Sequence, residues 1–292
     1  MPEEKEAYEK AGKISKEVKE YAKSITKLGS SLLDIAEKIE NKIIELGGKP
    51  AFPVNLCIDD IAAHYTPNHN DGTLAEGLLK IDLGVHVDGF IADTAFSMDL
   101  SNIPENKKLI EAANQALAEA IKVASPNIEV WKIGKAIQDK AESLKFSPIR
   151  NLSGHQLNSF RVHAGITIPN CNNNSTTTLK EGAYAIEPFI TKGLGMVYDG
   201  KPSGIYKLEE KKAIRDQLAR KILEYLEQEH KTLPFCSRWI VKKFGTRALL
   251  SLHLLEQSGI IYQFPQLIEK SHSKVAQAEH TILVTNEVQV IT

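Results

Sequence analysis

The chain has 292 residues, of which 42% are hydrophobic and 25% are charged, and its formal net charge at pH 7 is −1. This length allows one large domain or a domain with an insertion. The near-neutral balance predicts no general electrostatic attraction to nucleic acid or to a membrane surface. No apolar run approaches the roughly 20 residues that a membrane-spanning helix needs, so we expect no membrane partner.

The cysteines and the N-terminal segment indicate the cellular compartment. Cys57, Cys171 and Cys236 are few, odd in number and far apart in sequence. This usage is typical of a reducing compartment rather than of a disulfide framework. The N-terminal segment is charged and helical in pattern and contains no apolar signal-peptide core. We therefore predict a cytoplasmic protein.

Four helices are predicted in the first half of the chain. Residues 7–25 and 31–46 place apolar side chains at steps of three and four, which is the period of an amphipathic helix. A Gly-Gly pair and a proline end the second of these helices. Further helices are predicted at about 106–124 and 130–144.

A β-hairpin is predicted between the two pairs of helices. Two β-prone runs flank Asp88-Gly89, a dipeptide that strongly favours a hairpin turn. With this turn, Asp82 faces Ala95, and Asp93 lies two residues from Ala95 on the second strand. Asp82 and Asp93 then share one face as diagonal neighbours, roughly 7–8 Å apart. Carboxylates inside a strand need a partner or a metal, and two at this distance can reach one pair of cations.

A short repeat indicates an internal duplication. The string LAEGLLKID ends at Asp82, and the similar string LKEGAYAIE ends 105 positions later at Glu187, which we place within a predicted strand. Two half-domains, each with the order helix-helix-strand-strand, would produce this pattern. Strings this short also match by chance, so the sequence leaves both a duplication and a coincidence open. A second hairpin is predicted near the C-terminus, about Thr285–Glu287.

The segment 206–262 differs from its surroundings. It is helical in pattern at both ends, basic and aromatic in the middle, and flanked by Gly- and Pro-containing strings. We predict an inserted helical subdomain at 206–262 and a catalytic domain formed by 1–205 plus 263–292. Its basic run contains no acid between Arg238, Lys242, Lys243 and Arg247. A solvated helix face is the favoured interpretation, and a contact surface for nucleic acid or the ribosome is the alternative.

Five side chains that can bind metals are in or beside strand-like runs: Asp82, Asp93, His155, Glu187 and Glu279. Oxygen-rich ligands with one imidazole suit divalent Co, Mn, Fe or Zn. Two such ions about 3.5–4 Å apart can clamp the attacking and leaving atoms of a hydrolysis. Two further histidines, His64 and His163, could bind a substrate carbonyl or move a proton. Each residue taken alone also has an ordinary structural interpretation.

Six strings in chain order carry a resemblance to a known family. AAHYTPN, KIDLGVHVDGFIADTAF, NLSGHQ, RVHAG, AIEPF and AQAEHTILV resemble type II methionine aminopeptidases over nearly the whole chain. Because it has no long charged N-terminal extension, the sequence resembles the archaeal members of the family more than the eukaryotic ones. The resemblance implies an α+β, pita-bread (creatinase/aminopeptidase) fold. This fold has pseudo-twofold αβ halves around a dinuclear site and an inserted helical, winged-helix-like subdomain.

The resemblance also implies roles for individual residues. Two divalent ions would be bound by Asp82, Asp93, His155, Glu187 and Glu279, with Asp93 and Glu279 bridging. His64 would face the substrate near the scissile bond, and His163 would bind the substrate carbonyl. Glu187 would in addition move protons to the leaving amine. The methionine pocket would be lined by Phe52, Val162 and Phe264.

The function implied by the resemblance is removal of the N-terminal methionine from nascent proteins and peptides with a small second residue. A hydroxide activated by two metals would attack the methionine carbonyl, and the enzyme would act as a monomer on nascent polypeptide N-termini. One alternative is an Xaa-Pro peptidase of the same fold, although RVHAG and AAHYTP favour the methionine enzyme. The other is a non-catalytic RNA- or ribosome-binding protein, which the presence of all five metal positions disfavours.

Overall fold

The computed structural model describes residues 2–210 and 212–292. Two residues lie outside the described residues: Met1, in the predicted catalytic domain, and Lys211, in the predicted insertion. The first elements are α1 (Pro2–Ile25), α2 (Leu32–Glu45), β1 (Lys49–Pro50), β2 (Asn55–Ile58), β3 (Ile61–Ala63), β4 (Leu78–Val87) and β5 (Phe90–Asp99). Both predicted N-terminal helices are confirmed. Helix α2 starts after Ser31, whose hydroxyl accepts a hydrogen bond from the Asp34 backbone N–H.

The predicted hairpin and its register are confirmed. Strands β4 and β5 pair without a bulge, so that Asp82 lies opposite Ala95 and Asp93 lies opposite Gly84. The turn residues Asp88 and Gly89 both have positive φ, at 52° and 94°. Positive φ at both central residues matches the twist of the flanking strands and fixes a two-residue hairpin.

The second half repeats the order of the first. Its elements are α3 (Pro104–Val123), α4 (Val130–Ser143), β6 (Ser147–Pro148), β7 (Ser153–Leu157), β8 (Thr167–Pro169), β9 (Gly182–Ile186) and β10 (Phe189–Thr191). The two predicted helices are confirmed. Two helices followed by paired strands therefore occur twice, which supports a duplication rather than a chance match.

The prediction that Glu187 lies within a strand is wrong. Strand β9 ends at Ile186, and β10 begins at Phe189 in a different sheet. Pro188 sits in this break, where its missing N–H removes a donor that a continuous strand would use. Glu187 is therefore placed on a short link between two sheets.

The remaining elements include the segment predicted as an insertion. They are β11 (Val197–Leu208), α5 (Gln217–Glu229), β12 (Phe235–Cys236), α6 (Ser237–Phe244), α7 (Ala248–Gln257), β13 (Ile261–Glu269), β14 (Val275–Gln277), β15 (His280–Val284) and β16 (Val288–Val290). Helices α5, α6 and α7 surround their own apolar cluster. Strand β11 leads into this segment and pairs with β13, which returns from it. The predicted C-terminal hairpin is confirmed by β15 and β16.

Two larger apolar clusters hold the rest of the chain. Helices α1 and α2 cover β4 and β5, and helices α3 and α4 cover the sheet that contains β9 and β15. The carboxylate-bearing hairpin and the β7–β9–β15 sheet thus meet between two helical layers. Among the described residues, none of the helices is long and apolar enough to cross a membrane.

Candidate metal centre

One cavity collects all ten predicted site residues. It is lined by Phe52, His64, Asp82, Asp93, His155, Val162, His163, Glu187, Phe264 and Glu279. Four further residues line it that the sequence did not indicate: Asn55, Ala63, Ile205 and Pro234. Acidic groups, histidines and apolar side chains from both halves of the chain are therefore brought to a single place.

Hydrogen bonds between distant strands place Asp93 beside Glu279. The Thr281 hydroxyl donates to the Asp93 carbonyl and accepts from the Asp93 N–H, both at 2.8 Å. On the neighbouring residue, the Thr94 hydroxyl donates to the Glu279 carbonyl at 3.0 Å. The Glu279 N–H in turn donates to the Ala95 carbonyl. Strand β5 and the link before β15 are held in a fixed relation by these bonds.

His155 brings the imidazole to this cluster. It lies in β7, opposite Ala185 of β9. Its Nε2 atom is 3.9 Å from Oδ2 of Asp93 and 3.3 Å from Oε1 of Glu187. One potential ligand atom from each of Asp93, His155 and Glu279 lies within 4.8 Å of the others. A single ion can therefore reach all three of these side chains.

Asp82 and Glu187 complete the cluster through a shared neighbour. The amide of Gln277 donates to Oδ2 of Asp82 at 3.4 Å and to Oε2 of Glu187 at 3.5 Å. Gln277 ends strand β14, just before Glu279. No sequence motif marks Gln277, and the one available signal was its position two residues before a predicted metal ligand.

Four carboxylate oxygens of the cluster have no hydrogen-bond partner among the described residues. Asp82 Oδ1, Asp93 Oδ1 and both carboxylate oxygens of Glu279 are buried without a hydrogen bond among the described residues. Burial raises the pKa of Asp82 and of Glu187 to about 8. Burial, reinforced by the neighbouring carboxylates, raises the pKa of Asp93 and of Glu279 well above its ordinary value. Divalent cations would balance the negative charge of these buried, unpartnered carboxylates, and the neutral imidazole can bind such cations too.

The other two site histidines are neutral near pH 7. Burial lowers the pKa of His64 to about 4 and that of His163 to about 3. Nδ1 of His64 lies 3.3 Å from the Pro265 carbonyl oxygen, which can only accept, so Nδ1 carries the proton and Nε2 is left as an acceptor. The ring of His163 lies 4.4 Å from that of His155, centroid to centroid.

One side of the cavity is apolar. Phe52 and Val162 are buried, and the ring of Phe264 packs edge-on against His64 at 5.5 Å. Ile205, which lies within β11, and Pro234, which lies in the segment predicted as an insertion, extend this apolar lining. No sequence motif marks these two residues, because their place in the cavity depends on how that segment folds back.

A polar residue at the cavity wall also escaped the sequence analysis. Asn55 is 5% exposed and pairs opposite Asp82 between β2 and β4. Its amide nitrogen donates to the Pro53 carbonyl, while its Oδ1 has no partner among the described residues. Only the pairing of β2 with β4, which places Asn55 opposite Asp82, indicates that Asn55 belongs to the site.

Partly unpartnered carboxylates and an imidazole within a pita-bread fold define a metal-dependent hydrolase. A family model described as metallopeptidase family M24 matches residues 6–286, and the chain belongs to this family. A methionine aminopeptidase of Pyrococcus abyssi is 47% identical over 97% of this chain and 97% of its own length. One of Methanocaldococcus jannaschii is 45% identical over 98% of this chain and 99% of its own length. The resemblance seen in the sequence is thereby confirmed.

Solved structures show the same fold at lower identity. A structure described as a thermophilic Arx1 has a TM-score of 0.84 and 16% sequence identity. The comparison covers 100% of this chain and 91% of the other. At this identity the likeness concerns the fold alone.

Proposed function

We infer that this chain is a metallo-exopeptidase that removes the N-terminal methionine from proteins and peptides. The observation that carries this function is the cavity, in which a metal-binding cluster lies directly beside an apolar pocket. The curated relatives named methionine aminopeptidase, which match nearly the whole chain, support the same activity. The alternative of an Xaa-Pro peptidase is not favoured by them.

We propose that the two metal ions are held by Asp82, Asp93, His155, Glu187 and Glu279. Asp93 and Glu279 would hold the ion that His155 binds, because one potential ligand atom of each lies within 4.8 Å of the others. When bound, two divalent ions supply Lewis acidity for the substrate carbonyl and a water nucleophile of lowered pKa at neutral pH. Gln277 orients Asp82 and Glu187 by donating to one oxygen of each.

The neighbouring side chains handle the substrate's polar atoms. Neutral His163 can donate to the carbonyl oxygen as negative charge develops there. Nε2 of His64 is available to accept a hydrogen bond from the substrate backbone. Oδ1 of Asn55 can accept from the α-amino group of the substrate, because its own amide nitrogen is committed to Pro53. Glu187, whose Oε1 lies 3.3 Å from Nε2 of His155, is the proposed group that carries a proton to the leaving amine.

Specificity comes from the apolar side of the cavity. Phe52, Val162 and Phe264 offer no charged partner, so they favour an apolar side chain next to the reacting carbonyl. An unbranched thioether adapts well to such an irregular apolar surface. We propose that the cavity mouth admits only a small second residue, and that nascent polypeptide N-termini in the cytoplasm are the substrates of a monomeric enzyme.

We also propose a ribosome contact through the basic run. Fewer of its basic side chains are available for this contact than the sequence indicated. Arg238 is buried, which contradicts its assignment to a solvated helix face. Lys243 lies over the ring of Tyr225, and Lys242 pairs with an exposed acid of α2. Lys242, Lys243 and Arg247 remain exposed and are the residues through which such a contact would be made.

The assignment is tested by adding Co or Mn to the purified chain and measuring cleavage of the tripeptide Met-Ala-Ser and of an Xaa-Pro dipeptide. We expect release of free methionine from Met-Ala-Ser, and its loss in Asp93→Asn together with loss of bound metal. Asp139→Asn, at an exposed site on α4, is the matched control and retains activity. Cleavage of the Xaa-Pro dipeptide alone, or RNA binding without any peptide cleavage, would overturn the assignment.

A further inference from the structure

A buried ion pair joins the segment after β11 to the first half of the chain. Arg238 of α6 and Glu40 of α2 are 2% and 6% exposed. Nη1 of Arg238 lies 2.7 Å from Oε2 of Glu40, and Nη2 lies 2.8 Å from Oε1. This is a two-pronged guanidinium–carboxylate contact, a geometry that fixes orientation as well as distance.

Further hydrogen bonds join the pair to neighbouring backbone groups and to the Trp239 side chain. The Val54 N–H donates to Oε1 of Glu40 at 3.3 Å, and the Trp239 indole N–H donates to Oε2 at 2.8 Å. Nε of Arg238 donates to the Pro67 carbonyl at 3.0 Å. The Thr66 hydroxyl closes the network by donating to the Val54 carbonyl at 2.8 Å.

The two backbone segments held in this way both carry residues that line the candidate active site. Val54 lies between Phe52 and Asn55, which both line the cavity. Thr66 and Pro67 follow His64, which also lines it. His64 has φ of 62°, a left-handed conformation that a non-glycine residue keeps only when its surroundings impose it. The ion pair is thus anchored to two neighbouring backbone segments that both contribute residues to the substrate pocket.

Net stabilisation alone is a weak explanation for such a pair. Removing two charges from water costs about as much as their attraction returns, and apolar pairs of similar volume often stabilise a fold at least as well. What an apolar pair cannot do is bond to the Val54 N–H and the Pro67 carbonyl. Geometry, rather than stability, is therefore the property that this pair provides.

We propose that Glu40 and Arg238 are a positioning pair that sets the shape of the methionine pocket and the orientation of His64. Through it, the segment 206–262 takes part in substrate selection without supplying a catalytic group. The inference rests on the proposed function, because it concerns the same cavity. It gives Arg238, one member of the basic run, a role that the spacing of the run in the sequence did not suggest.

The same two helices offer a matched control. Glu37 lies one turn before Glu40 on α2 and pairs with Lys242 of α6 at 3.6 Å. The side chains of Lys242 and Glu37 are 65% and 38% exposed, and solvent screens their interaction. Glu37→Gln and Glu40→Gln therefore make the same chemical change at the same interface. Only Glu40→Gln alters a side chain that is hydrogen-bonded to the backbone beside the pocket.

The test compares kcat, KM and metal content of Glu40→Gln, Glu37→Gln and the double variant Glu40→Leu with Arg238→Met. Substrates are Met-Ala-Ser and Leu-Ala-Ser. For Glu40→Gln and the double variant we expect unchanged metal content, a kcat/KM for Met-Ala-Ser lower by at least roughly tenfold, and a smaller preference for Met over Leu. Glu37→Gln should match the wild type in all three measurements.

The double variant separates positioning from stability. If the pair only stabilised the fold, the apolar replacement would restore both folding and substrate preference. Wild-type preference in either folded variant, or failure of both variants to fold, would overturn the proposal. Failure of the proposed function is distinguishable, because the wild-type chain itself would then leave Met-Ala-Ser intact. Hydrogen exchange at residues 64–68, faster in Glu40→Gln, provides a readout that does not depend on activity.

Discussion

The role of His64 can be tested directly by a single substitution. It lines the cavity but is not among the three side chains within reach of one ion. Its neutral ring is fixed by the bond from Nδ1 to the Pro265 carbonyl. We propose that His64 contacts the substrate and is not a metal ligand.

We expect His64→Ala to retain both metals and to lose most turnover. Removing one preorganised hydrogen bond at the reacting centre typically costs about 10²–10³-fold in rate, so kcat/KM should fall by about that much. Elemental analysis and a methionine-release assay on one preparation measure both properties. His253→Ala, an exposed histidine on α7, is the control and should behave as the wild type. Loss of metal in His64→Ala would instead make His64 a ligand.

At the scale of elements, the site depends on how closely β7 approaches β9. A Cβ atom added at Gly154 would lie 2.2 Å from the Ala185 carbonyl oxygen, which is backbone and cannot move aside cheaply. Gly154 directly precedes His155, so any separation of the two strands would displace the imidazole. The glycine is needed here for space.

Gly154→Ala is therefore expected to weaken both the fold and the metal site. Overpacking of this kind costs about 1–3 kcal/mol in the free energy of unfolding. Displacement of His155 should also lower metal affinity. Chemical denaturation and metal titration check the two effects. Gly72→Ala is the control, because a Cβ atom there would meet nothing within 4 Å. Equal stability and affinity in the two variants would contradict this account.

At the scale of the whole molecule, the acidic cluster couples metal binding to stability. Unfolded carboxyl groups have pKa values of about 4, whereas burial raises the pKa of Asp82 and of Glu187 to about 8 in the metal-free fold. Between these values the folded chain binds more protons than the unfolded chain. The contribution of these groups to stability is thus present at low pH and is lost as pH rises through about 8.

We expect the gain in Tm on metal loading to be larger at pH 8.0 than at pH 6.5. At the lower pH, Asp82 and Glu187 are protonated in the metal-free fold, so cations must displace protons to bind. At the higher pH, charged carboxylates destabilise the metal-free fold, and cations relieve that cost. Scanning calorimetry with excess metal and with chelator measures both gains. Comparing loaded with metal-free protein at each pH cancels the contributions of groups far from the site. Equal gains would show that the cluster does not bind the ions.

Local features of the sequence determined much of the fold. The helices followed from apolar periodicity, and the β4–β5 register followed from a two-residue turn, because such a turn leaves only one pairing for the strands. The register placed Asp82 and Asp93 on one face before any tertiary contact was known. The family resemblance indicated the other candidate site residues, and the cavity contains all of them.

Only the tertiary structure decided the features that depend on distant segments meeting. Glu187 lies in a break between two sheets, and Asn55 and Gln277 reach the cluster only through pairings with other strands. The sequence predicts Arg238 as part of a surface run, yet Arg238 is buried against a carboxylate 198 residues away. Short-range patterns carry no information about such a partner, because its burial depends on how the intervening chain closes around it.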